Sequence, residues 1–282
     1  MVTINGITIT SLETIHAYNR QDGACELYLD ELQETNIENT EDTQDITGKG
    51  DRLLKQIKKN KAVTVTGTSA LISGGLMSAQ TGSEIIADEH TKVRKPEILE
   101  IAKGETTAKT SFKAVGDTGS EINSMFILTS NGALGKKFTQ GAAVSAKEFT
   151  YDPTTKTITL PTDIAKNESL KLIVFYDYTT DGAKLVNKSD IYGKTLSVYI
   201  DCIGTDVCEK EYKCQFVIPR GQFSGEFSIN MGGDQTVHDF TINTLVDVCQ
   251  TSSTGELFEF ITYQDPVEEI ADDKTNEEPT DP

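Results

Sequence analysis

Ile46-Thr47-Gly48-Lys49-Gly50-Asp51-Arg52-Leu53-Leu54-Lys55-Gln56-Ile57-Lys58-Lys59-Asn60-Lys61 runs without a break into Ala62-Val63-Thr64-Val65-Thr66-Gly67-Thr68. Leu53, Leu54 and Ile57 fall at i, i+1 and i+4, a spacing that predicts a short helix from Leu53 to Lys59 with those three packed on a sheet. Alternating Val and Thr then predict a strand over 62–68. Arg52, Lys55, Lys58, Lys59 and Lys61 follow one another with no acid between them. Upstream, residues 22–45 hold Asp22, Glu26, Asp30, Glu31, Glu34, Glu38, Glu41, Asp42 and Asp45 with no base. Charges sorted into opposite blocks suit a meeting with another copy of the chain, or with a charged neighbour. The candidate contact residues are Glu31, Glu34, Glu38, Glu41, Asp42 and Asp45 on one side and Arg52, Lys55, Lys58 and Lys59 on the other. Two solvated faces with no partner remain the plain alternative.

Working outward, almost everything else reads as strand and turn. Ile4 to Ile9 and Ala24 to Leu29 are strand-like, with Asp22-Gly23 as a turn signal. Residues 30–51 are acidic and threonine-rich without periodicity, which predicts a long exposed loop. Residues 70–82 are rich in small side chains and predict a bend or a second short helix. Further strands are predicted at Ile98–Ile101, Thr110–Val115, Ser124–Leu128, Thr195–Ile203, Glu211–Pro219, Gly225–Met231, Val237–Val248 and Leu257–Tyr263. Residues 148–161 form a hairpin opened by Asp152-Pro153, and Leu170 to Tyr178 is a more continuous apolar strand. Closely spaced strands without strand–helix alternation argue for a β-sandwich or barrel and against a doubly wound fold. The expected organisation is one β domain over 1–263, with a possible elaboration at about 100–180. An acidic tail at 264–282 is expected to be mobile, because eight acids, one lysine and three prolines cannot bury enough apolar surface.

Composition narrows the partners. A formal charge of −18 over 282 residues opposes free binding to nucleic acid or an anionic membrane. The same charge suits the wall of a channel through which DNA slides without sticking. No run approaches the roughly 18 apolar residues of a membrane-spanning helix. The first ten residues alternate like a strand rather than like a signal peptide, so the product is expected in a cytoplasm. Five cysteines without a C-x-x-C pair read as reduced thiols; Cys202, Cys208 and Cys214, six apart, leave room for two to approach on paired strands.

Residue supply argues against chemistry, and neither a cofactor nor a metal is expected. His238 and Asp239 are adjacent and point to opposite faces of a strand. Gly48-Lys49-Gly50 lacks the frame of a phosphate loop. Asp201, Asp206 and Glu209, and likewise Asp177, Asp181 and Asp190, do not match a calcium loop and read as turn acids. The absence of tryptophan weakens a sugar site.

Taken together, the N-terminal strand pair with its polar loop, the 46–82 block, the threonine-rich strands at 148–178 and the closing strands from Phe216 to Tyr263 resemble the major tail tube protein of long-tailed, siphovirus-type bacteriophages. The resemblance implies a mainly β fold, a tail-tube sandwich or barrel with one short flanking helix. It implies hexameric rings stacked into a tube, with the tape-measure protein and passing DNA inside and other tail proteins as partners. It places the chain in a virion tail assembled in the host cytoplasm. Other readings of the same β texture are a capsid decoration protein, a neck or tail-terminator component, and an Ig-like adhesion module.

Overall fold

The computed structural model describes residues 4, 6–164, 169–232, 237–246 and 255–264. The segment 265–282, read from sequence as an acidic tail, and Cys249 lie outside the described residues. In chain order the elements are β1 (Thr8–Asn19), β2 (Cys25–Leu29), β3 (Leu32–Thr47), β4 (Leu53–Ser69), α1 (Gly74–Thr81), β5 (Ile85–Ile101), β6 (Thr107–Lys109), β7 (Ile122–Leu128) and β8 (Leu134–Gln140). They continue with β9 (Glu148–Asp152), β10 (Thr157–Thr159), β11 (Leu170–Leu185), β12 (Thr195–Thr205), β13 (Glu211–Phe223), β14 (Ile229–Asn230), β15 (Val237–Thr244) and β16 (Glu259–Tyr263). The fold is mainly β, with a single short helix among the described residues.

The predicted helix at Leu53–Lys59 is a strand, and the predicted loop at 30–51 is its partner. Residues 32–47 and 53–69 form one long antiparallel hairpin, closed by a turn in which Gly48 N–H donates to Arg52 O at 2.9 Å. A spacing of four is even, so Leu53 and Ile57 can share one face of a strand as readily as one face of a helix. The partner decides: only the strand satisfies the backbone of 32–47. The helix lies instead at Gly74–Thr81. Ser73 caps it by accepting from Leu76 N–H at 3.3 Å, and Gly82 ends it in the left-handed region, φ 72°.

Two compact units divide the chain: Met1–Ile85 with Leu185–Pro282, and Ile86–Lys184. The first holds a nine-stranded sheet whose main path runs β2-β1-β12-β13-β15-β4-β3, with β14 on β15 and β16 on β13. β13 turns the corner: Lys213–Val217 pair with β16, whereas Gly221–Phe223 pair with β15. Ile15, Ala17, Val198, Ile200 and Ile218 thereby share a core with Val65, Phe240 and Ile242, under Leu76 and Ala79 of the helix. Gly67 is needed at this contact, because a Cβ there would lie 2.4 Å from Phe240 Cζ and 2.7 Å from Glu34 O.

The second unit holds a seven-stranded sheet ordered β5-β11-β7-β8-β9-β10-β6, in which β8 and β9 run parallel. Leu172, Val174 and Tyr176 of β11 alternate into its core with Met125, Phe138, Phe149 and Ile158. Asp152 accepts from Thr154 N–H at 2.9 Å and Thr155 Oγ1 at 2.7 Å, forming the turn that Asp152-Pro153 predicts. Residues 110–115, predicted as a strand, contain only an isolated bridge from Val115 to Asp177. Charge separates by unit. Residues 86–184 contain 13 of the 26 Lys and Arg and 13 of the 44 Asp and Glu, so this unit is neutral and the other carries the whole −18.

Candidate functional site: a projecting arm and an acidic hydroxyl face

β4 is held between two strands only near its end. β15 pairs with it over Thr64–Ser69, and beyond that point β3 and β4 continue alone. Asn60, at φ 53°, marks the departure, where the register shifts between Thr40 and Asp42. From there to the turn at 48–51 the hairpin projects roughly 24 Å at about 3.4 Å per residue. Residues 53–62 of β4 and 38–47 of β3 are exposed throughout. Pairing opposes Asp42 to Lys59, Gln44 to Ile57 and Ile46 to Lys55 on one face, and Thr43 to Lys58 and Asp45 to Gln56 on the other.

The charged blocks read from sequence therefore meet first within a single hairpin. Lys58 Nζ lies 2.5 Å from Glu41 Oε1, Gln56 donates to Asp45 at 3.0 Å, Lys59 to Gln44 at 3.0 Å and Asn60 to Asp42 at 2.9 Å. With both partners exposed, the Lys58–Glu41 pair contributes about 0–1 kcal/mol. Leu53, Leu54 and Ile57 do not pack a helix on a sheet. They are 58%, 64% and 38% exposed on the arm, with Ile46 at 41%. A bare two-stranded ribbon is marginal in water, and this one shows four large apolar side chains to solvent.

Behind the arm, the solvent face of β3, β4 and β15 has a uniform chemistry. Cross-strand register lines up Glu34–Thr68–Asp239, Asn36–Thr66–Thr241 and Glu38–Thr64–Asn243 in three rows over β3, β4 and β15. These nine side chains include three carboxylates, six hydroxyl or amide groups, no base and no aliphatic residue. Alternation explains the separation, since Val63, Val65, Phe240 and Ile242 point to the core from the intervening positions. Glu34 and Glu38 thus belong to this face, whereas Glu41, Asp42 and Asp45 belong to the arm; Glu31 lies in the β2–β3 connection, its carbonyl accepting from Ala70 N–H at 2.9 Å. The outer edge of β3, unpaired among the described residues, and β2 at the other end leave the sheet open at both sides.

The other polar clusters are structural. His238 is fully buried; its Nε2 meets Gln80 Oε1 at 2.8 Å, and Gln80 Nε2 donates to Asp239 O at 2.8 Å, fastening α1 to β15. Burial holds the His238 imidazole below its ordinary pKa. Asp239 points away and accepts from Ser228. A His16–Asp201 pair, 185 residues apart and missed from sequence, spans 2.9 Å on β1 and β12. Burial pushes Asp201 upward, but hydrogen bonds from Gln215 (2.7 Å), Thr14 (2.9 Å) and His16 outweigh it and hold the carboxyl below its usual range. Among the described residues His16 Nδ1 has no hydrogen-bond partner, so none of their hydroxyls stands where a nucleophile would. Its ring stacks on Tyr199 at 5.3 Å. Asp177 is not a turn acid: Arg94 Nε at 2.7 Å and Lys92 Nζ at 3.2 Å hold its carboxyl below the usual range. Asp206 caps the β12–β13 turn, accepting from Cys208 and Lys210 N–H. Among the described residues no three His, Cys, Asp or Glu are gathered to hold a metal ion. No helix among them is long and apolar enough to cross a membrane.

A β framework with a polar sheet face, open edges and a projecting apolar-tipped arm is the outline of a structural subunit. The YomU/Tube protein family matches residues 7–260, and the chain belongs to that family. It is accordingly a phage tube-like structural protein and a component of a virion tail. No curated protein matches the chain.

Proposed function

We propose that the chain is the repeating subunit of a siphovirus-type tail tube. Copies associate edge to edge into rings of six, the rings stack, and the resulting conduit holds the tape-measure protein and passes DNA on ejection. The arm carries this reading: it exposes four large apolar side chains on a hairpin that nothing in its own unit covers among the described residues. A second copy supplies the missing cover.

The three rows from Glu34, Asn36 and Glu38 to Asp239, Thr241 and Asn243 then face the lumen. Carboxylates and neutral hydroxyls repel or ignore phosphate, and those three rows hold no base to arrest a moving duplex. As the terminal strand of the sheet, β3 offers its outer edge to a neighbour's strand, and ring closure removes that edge.

Shortening the arm tests this. Replacing Glu41–Lys59 with a tight Asn-Gly turn leaves β15–β4 pairing intact and removes the stacking element. Light scattering and sedimentation of the full chain should then show stacked assemblies for the natural sequence and at most single rings for the variant. Identical assemblies from both would refute the role of the arm.

A further inference from the structure

Cys202 and Cys214 sit directly opposite each other on β12 and β13, and their side chains are 3% and 1% exposed. Opposed residues of an antiparallel pair have Cα atoms about 4.5–5.5 Å apart, inside the roughly 4.4–6.8 Å that a disulfide requires. Alternation turns both side chains to the same face, where both are buried. Cys202 also lines a cleft of about 580 Å³ with Ile9, Leu12, Ile200 and Phe216, which gives a small solute a route to its sulfur. We propose that Cys202 and Cys214 form a cross-strand disulfide site, open in a reducing compartment and closed by a small peroxide oxidant outside it.

The chemistry balances with hydrogen peroxide. The Cys202 thiolate attacks one peroxide oxygen, the O–O bond breaks, and Cys202 becomes a sulfenic acid with release of water once protons are returned. Cys214 sulfur then attacks that sulfenic sulfur, the S–O bond breaks, a second water leaves, and the S–S bond remains. Two thiols are oxidised by two electrons and one peroxide is reduced to two waters. Burial, with Cys214 and Asp201 nearby, pushes the Cys202 thiol up to about 12, so the step is slow near neutrality and quickens as pH rises. This inference is independent of the tube reading.

The test uses the full chain with C25S, C208S and C249S, which removes the two exposed thiols and the one outside the described residues. After hydrogen peroxide at alkaline pH, then denaturation, both remaining thiols should be lost to Ellman reagent and the mass should fall by two hydrogens. Reduction should restore both. Adding C214S should stop the pair at a sulfenic or higher oxide. In the natural chain, a non-reduced tryptic map should join the peptide Thr195–Lys210 to the peptide Cys214–Arg220, with fragmentation between Cys202 and Cys208 placing the link on Cys202, a readout that needs no variant to fold. Two titratable thiols after oxidation, or added oxygen without loss of hydrogen, would overturn the proposal.

Discussion

Replacing Ile46, Leu53 and Ile57 together with threonine tests the arm as a contact. Threonine is β-branched and suits a strand, so the hairpin itself should persist. The three side chains are 41%, 58% and 38% exposed, which leaves about half of each to be covered by a partner. Full burial of such a side chain is worth about 1.5–3 kcal/mol, so covering what remains contributes about 2–4 kcal/mol per arm. At 1.4 kcal/mol per decade, losing it weakens each contact roughly 30- to 700-fold. Sedimentation over a concentration series measures the shift as a rise in the concentration at which assemblies first appear. The urea midpoint of the unassembled chain should stay within about 0.5 kcal/mol of the natural one, because surface substitutions of this kind touch no core. An unchanged assembly threshold with an intact fold would refute the idea that these side chains are covered by another copy.

Three further outcomes follow from the core and its polar anchors. His238 is held neutral by burial, so its folded pKa lies below its unfolded value; stability is fully present above about 6.5 and falls with pH as the unfolded chain takes up the proton. Urea midpoints between pH 7 and 5 should show this slope, and H238Q should flatten it. Asp201→Ala strands Gln215, Thr14 and His16 and should cost about 2–4 kcal/mol in urea unfolding; a loss below about 0.5 kcal/mol would show that water replaces the carboxylate freely. Gly82→Ala forces a left-handed φ of 72° and puts a Cβ 2.1 Å from Tyr192 O, so it should destabilise by at least about 2 kcal/mol, read as a lowered melting midpoint.

What the sequence showed depended on whether a strand had one wet face or two. β12 alternates cleanly from Leu196 to Cys202 because one face is core, and its limits were legible almost to the residue. β3 and the first half of β5 were not, since Glu38–Thr47 and Ile85–Lys92 are solvated on both sides and leave no period to read. Thr10 to Asn19 of β1 escapes for a different reason: Ile15 and Ala17 do face the core, but the register shifts at Thr10 and Glu13 break the alternation before it can be read. The basic segment was misassigned because its apolar spacing fits both periods, and only pairing with a strand upstream separates them. Two of the three carboxylates of the acidic face, Glu34 and Glu38, were within reach. Asp239 joins them through a register some 200 residues long, which no local spacing displays.

Negative-stain electron microscopy of the purified full chain, across concentration and with light scattering on the same sample, tests the central claim most directly. The account predicts hollow tubes or stacked rings, lost when the arm is shortened. A monodisperse monomer at every concentration, with the arm intact, would contradict it.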